Sequence, residues 1–144
     1  MLFHRVNRTE AEKIFIICQN VSGSTMTAGY SVVFDTGANV DGVRVTKASA
    51  TDLQAFAGVV DEDIDSNAFG RIQIYGYRSS AYIYSSKSAL LTGDGLACVA
   101  DWGLTPQTSS GLIKHFGFMC EAIADSTNAS SQYHTTKKIF IRAL

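Results

Sequence analysis

The feature that most constrains this chain is a period-two alternation of apolar and polar residues, confined to short runs and broken by glycine and aspartate. Tyr30, Val32 and Phe34 alternate with Ser31, Val33 and Asp35. Val43 and Val45 alternate with Arg44 and Thr46, and Ile72 and Ile74 with Arg71, Gln73 and Tyr75. Phe116, Phe118 and Cys120 alternate with Gly117, Met119 and Glu121, and Ile139 and Ile141 with Lys138, Phe140 and Arg142. A period of two puts one set of side chains on a core face and the other outside, which is the geometry of a strand. With residues 13–19, 54–60, 81–85 and 96–100 read the same way, the pattern predicts about nine short strands.

Between these runs lie Val21-Ser-Gly-Ser-Thr25, Asp35-Thr-Gly37, Asp41-Gly42 and Gly93-Asp-Gly95, residues that tolerate the backbone of tight turns. No stretch carries a helical period. Thr9-x-x-Glu12 matches a capping box but runs straight into a β-rich segment, so it supports one turn at most, and residues 86–91 read as another. The expected architecture is all-β: a small single domain over residues 12–144, barrel or sandwich, preceded by an N-terminal arm over residues 1–11.

A chain of 144 residues is long enough to bury one core without staples. Twelve basic and thirteen acidic residues leave a net charge of −1, without the basic field of a dedicated nucleic-acid binder. Charged residues make up only 17%, so hydroxyls and amides must cover much of the surface. Cys18, Cys98 and Cys120 are odd in number and widely spaced, which implies no disulfide framework and fits a reducing compartment. Residues 1–13 hold three basic residues and two glutamates and no apolar core, unlike a signal peptide. The longest apolar run, residues 14–18, is too short to span a membrane as a helix.

Gly58-Val-Val-Asp-Glu-Asp-Ile64 is echoed by Gly117-Phe-Met-Cys-Glu-Ala-Ile123. Each is followed by an alternating strand, Gly70-Arg-Ile-Gln-Ile74 and Lys137-Lys-Ile-Phe-Ile141, with extra residues at 126–133 in the second copy. The echo reads either as a strand–turn–strand repeat or as a coincidence of β sequences.

The candidate chemical motifs are weak. Asp61, Asp63 and Asp65 have the opening spacing of a calcium loop, but Ser66 stands where its glycine belongs and Ile72 where its bidentate glutamate belongs, so a solvated turn is the better reading. His4, His115 and His134 have no metal-ligand spacing to each other or to a cysteine, so no metal or other cofactor is expected. There is no nucleophile elbow, phosphate loop or dinucleotide fingerprint, and no catalytic residue is assigned. Tyr75, Tyr77, Tyr82 and Tyr84, with Arg71 and Arg78, read as a tyrosine-rich hairpin. It could serve cross-strand packing, a protein contact, or stacking on sugars or bases.

The order of the second half is informative as a whole. Gly58 to Ile64 leads to Phe69-Gly-Arg-Ile-Gln-Ile-Tyr-Gly76, then Leu91-Thr-Gly-Asp-Gly-Leu96, Trp102-Gly103, Gly117 to Ile123, and the strand Lys138-Ile-Phe-Ile-Arg142. This order resembles the small β-barrel capsid decoration, or cement, proteins of tailed bacteriophages. Asn20-Val-Ser-Gly23 followed by Ala28-Gly-Tyr-Ser-Val32 resembles that family's opening. The bulky Phe118-Met119-Cys120 and the polar stretch 125–136 depart from it.

The resemblance implies a non-enzymatic virion protein on the capsid exterior, assembled in the host cytoplasm. Its partner would be the major capsid protein and its state a homotrimer, with no direct nucleic-acid or membrane contact. Candidate contact residues are Leu2, Phe3, Arg5, Val6 and Arg8 in the arm, Trp102, Leu104 and Gln107 in an expected loop over 102–111, and Tyr133 and His134 in an expected loop over 125–136. The alternative is a carbohydrate-binding or tail-component module that uses the tyrosine hairpin.

Overall fold

One strand organises the molecule. The computed structural model describes residues 12–37, 41–85, 89–106, 115–123 and 133–143. Within them, β5 runs unbroken for 17 residues, Phe69–Ser85. The sequence reading has two strands and a hairpin there. The residues that look like a turn, Gly76 to Ser80, instead hold a bulge between Arg78 and Ala81 against β9 (Tyr133–Arg142). Gly76 takes φ 101° where the Glu12 backbone crosses it. A bulge bends a strand without ending it. The four tyrosines therefore lie along one strand, not across a hairpin.

The remaining strands are β1 (Lys13–Asn20), β2 (Ser31–Phe34), β3 (Arg44–Thr46), β4 (Phe56–Val60), β6 (Gly95–Cys98), β7 (Leu104–Pro106) and β8 (Gly117–Met119). All nine belong to one mixed sheet in a single all-β domain, as expected, and the described residues contain no helix. The count is preserved although two expected strands fuse, because β7 forms inside the expected loop 102–111.

The ladder closes on itself twice. β1 pairs in parallel with β3, β3 with β2, β2 with β4, β4 with β5, and β5 returns antiparallel to β1. The second half of β5 then repeats this circuit: parallel to β7 at Ile83 and Leu104, β7 to β6, β6 to β8, β8 to β9, and β9 back to β5. Each ring has one parallel and four antiparallel pairings in the same order, and β5 serves both.

The equivalence extends to single hydrogen bonds. Met26 and Ile64 exchange backbone bonds at 2.9 Å in the first ring, as Leu90 and Ile123 do at 3.0 and 2.9 Å in the second. Gly29 donates to Val60 and Gly93 to Met119. Asp61 donates to Arg71 and Cys120 to Lys138. The echoed motifs of the sequence fall on these matching positions. Gly58 and Gly117 match as well, because a Cβ on either would collide with a carbonyl of the adjacent strand, that of Gln73 or of Phe140.

Each ring has its own core. Cys18, Val32, Val45, Ile64, Ile72 and Ile74 fill the first; Ile83, Leu96, Leu104, Met119, Ile139 and Ile141 fill the second. Val33, Phe56 and Val59, from β2 and β4 of the first ring, join the second core. These two strands are therefore covered on both faces, and every residue of β4 is buried. In β8 the core side is Met119 with Gly117, while Phe116, Phe118 and Cys120 are only half-buried. Alternation marks two faces, but ring closure decides which one is inside.

Candidate interaction surface

The two rings meet at an aromatic seam. Tyr30, just before β2, stacks on Trp102 at 5.1 Å between ring centroids and tilts against Tyr82 of β5 at 5.4 Å. Backbone bonds fix this arrangement. Ser31 donates to the Trp102 carbonyl at 2.7 Å, the Ser31 hydroxyl donates to the Gly103 carbonyl at 2.8 Å, and Tyr82 donates to the Gly29 carbonyl at 2.9 Å. The Lys47 ammonium lies 5.7 Å from the centre of the Trp102 ring and 3.0 Å from the Asp101 carboxylate. Aromatic stacking of this kind adds about 1 kcal/mol beyond area burial.

Behind the seam, where β5 passes between rings, Arg78 is buried at 8% exposure. Its Nε donates to the Ser80 carbonyl at 2.7 Å, and its Nη1 lies 3.2 Å from Asp61 and 3.4 Å from Gln73 Oε1. Gln73, also buried, donates to the Tyr75 and Tyr77 carbonyls. Burial lowers the Arg78 pKa and the Asp61 carboxylate opposes that shift; the guanidinium stays charged. The other face of Asp61 meets Arg71 at 3.0 Å, and Arg71 reaches Glu62 at 3.4 Å.

The acidic cluster is used internally. Asp63 accepts the Ala28 N–H at 2.8 Å and Asp65 the Thr25 hydroxyl at 3.0 Å, so these carboxylates tie the segment after β1 to the turn after β4. Among the described residues no His, Cys, Asp and Glu group is arranged to hold a metal. Cys18 and Cys98 are buried, free thiols. Burial, with Asp41 near the first and Asp52 near the second, pushes their pKa values up to about 11 and about 12.

The residues picked out from the sequence do not converge on one site. Leu2, Phe3, Arg5, Val6, Arg8 and Gln107 lie outside the described residues. Trp102 is half-buried in the seam, where it joins the rings. Leu104, expected on an exposed loop, is 1% exposed in the core of the second ring, because β7 forms there and turns it inward. Tyr133 and His134, expected on a loop, open β9 and pair with Ser85 and Tyr84. The sequence groups Arg78 with the tyrosine-rich segment and leaves packing and contact roles open; nothing in it signals the burial of Arg78. Sequence reasoning also missed Tyr30, whose only marker was an aromatic beside Gly29.

No protein-family model and no curated protein matches the sequence. Among solved structures, the head fiber gp8.5 N base of bacteriophage phi29 aligns with a TM-score of 0.54 at 14% identity. The fold resembles a bacteriophage head fiber base. The alignment covers 92% of this chain and 96% of that one, so the likeness takes in both rings. It reaches a protein of the phage head by shape, whereas the sequence resemblance pointed to decoration proteins through the order of glycines and strands.

Among the described residues, the exposed large apolar ones are Ile14, Phe15, Ile17, Val43, Phe69 and Leu91. Four of them, Ile14, Phe15, Ile17 and Phe69, lie on the β1–β5 ladder of the first ring. The Arg71 guanidinium lies 5.6 Å from the centre of the Phe15 ring. Several exposed apolar side chains on one ladder make this face a candidate protein contact.

Proposed function

We propose that this chain is a non-enzymatic structural protein of a phage virion, which binds the outside of the capsid as a homotrimer and stabilises the lattice of the major capsid protein. The observation that carries this reading is the full-length likeness of fold to a phage head fiber base. The sequence resemblance to capsid decoration proteins reaches the same virion surface by an independent route. The physical logic needs no reaction. A protein that binds only the assembled shell shifts the equilibrium toward that shell by mass action, and many identical sites multiply the effect.

The test is co-sedimentation of the purified protein with capsid shells that lack it, in expanded and unexpanded forms. Saturable binding to expanded shells, with a raised shell melting temperature, is the expected result. Absence of binding to both forms would overturn the proposal.

A further inference from the structure

The two rings match in wiring but differ in how one end of each is filled. In the first ring, Met26 and Ile64 shut the end where β1 finishes, and both are buried. At the other end, where β1 begins, a cavity of about 160 Å³ remains. It is lined by Ile16, Phe34, Phe56, Ala57, Ile74 and Ala143, apolar side chains throughout. Ile16, Phe34 and Ala143 are only half-buried, so the cavity opens at the surface. Folded cores keep few voids larger than a water molecule, so an apolar cavity of this size calls for an occupant.

The second ring shows what fits there. Gly58 matches Gly117, so Ala57 matches Phe116, and each packs against the core of its own ring. Ile74 matches Ile141, yet Ile141 is fully buried while Ile74 is 8% exposed. A phenyl ring therefore fills the second ring where a methyl group leaves the first one hollow. Phe56 touches both places: it stacks on Phe116 at 4.7 Å between centroids and also lines the cavity. The size agrees, since an apolar cavity of about 150 Å³ in another protein takes up benzene.

We propose that the N-terminal arm, residues 1–11, doubles back along β1 and sets the Phe3 ring into this cavity, so that Phe3 does for the first ring what Phe116 does for the second. The arm starts beside the cavity, because the Glu12 backbone crosses Gly76, two residues along β5 from Ile74. Ile16, on the cavity wall, lies about 13 Å along β1 from Glu12. The nine residues from Phe3 to Glu12 reach up to about 30 Å, enough for the return. Of the eight phenylalanines in the chain, only Phe3 lies outside the described residues. Leu144 is nearer to the cavity in sequence, but Ala143 already faces it, and successive side chains of an extended chain point to opposite sides. The inference does not rest on capsid binding, and it is tested on the isolated chain.

The experiment is NMR spectroscopy of the full chain with labelled alanine, isoleucine and leucine methyl groups. Wild type should show nuclear Overhauser contacts from the Phe3 ring to the Ala57 and Ile74 methyl groups. Phe3→Ala should lose the ring-current shifts of those methyl groups. Benzene, added as the probe, should then shift the same methyl resonances in Phe3→Ala and leave wild type unchanged. Far-UV circular dichroism checks that Phe3→Ala folds, and the wild-type contacts decide the matter without it. A mixture of copies labelled separately on phenylalanine and on methyl groups tells the chain's own arm from a neighbour's. Contacts seen only between copies, contacts from Leu144 in place of Phe3, no contact at all, or equal benzene shifts in both proteins would each overturn the proposal.

Discussion

At matching positions the two rings carry different chemistry. Gln73 in the first ring corresponds to Phe140 in the second, Asp61 to Cys120, and Tyr30 to Asp94. Gln73 and Asp61 sit where the first ring backs onto the second, and there they hold the buried Arg78. Phe140 has no ring behind it; it stacks on Phe118 at 5.2 Å and meets Tyr75 edge-on at 5.2 Å. Backbone wiring is therefore set by the repeat, while side-chain chemistry is set by what each face must cover. The positions where the rings agree, Ile72 with Ile139 and Ile74 with Ile141, point into the cores.

The sharpest test of this comparison is truncation at an agreed position. Ile72→Ala and Ile139→Ala should each cost about 4 kcal/mol, since both side chains are fully buried. Because β5 serves both rings, each variant should still unfold in one transition, with Trp102 fluorescence and far-UV circular dichroism coincident in urea. Two separated transitions would show that the rings fold independently. Next is the polar device found only in the first ring. Arg78→Met leaves Asp61 facing a buried apolar side chain and should cost about 3 kcal/mol in the same titration.

The glycine pair gives a finer comparison. Gly58→Ala and Gly117→Ala should both destabilise, by about 1–3 kcal/mol, because an added methyl meets a neighbouring carbonyl. Gly58→Ala should be the worse of the two, since Gly58 also has φ 152°. Thermal melts that rank Gly117→Ala as more damaging would break the proposed order. At the seam, Tyr30→Leu should cost about 1 kcal/mol and shift the emission of Trp102, the chain's single tryptophan.

The smallest effect is expected at Asp41, in the connection before β3. The Val43 N–H lowers its carboxyl pKa below the ordinary 3.8; burial opposes this, and the Arg44 N–H and guanidinium add to the lowering. A lowered folded pKa supplies stability above the unfolded value that is lost as pH falls through the folded one. Asp41→Asn should therefore melt slightly below wild type at neutral pH and converge with it in strong acid.

Much of the fold is legible in the sequence because its strands are short and their pattern is local. Ile72, Ile74, Ile139 and Ile141 announce their strands, and the echoed glycines announce the repeat. What escapes is whatever depends on closure. The Gly76 to Ser80 segment has turn composition, yet Gly76 accommodates a crossing backbone rather than a reversal. Leu104 lies in a polar stretch that reads as loop, and only its pairing with Ile83 makes it core. No local signal separates an arginine at the surface from one that is buried, so the burial of Arg78 is not legible in the sequence. The candidate surface is least legible, since which apolar side chains stay exposed depends on how the rings close.

The continuity of β5 also has a mechanical consequence. A pull applied between the two rings travels along one covalent strand, flanked by β1 on the first ring and β9 on the second. Separating the rings would require long ladders to slide in shear rather than a single contact to peel, so the molecule should resist extension best along this direction.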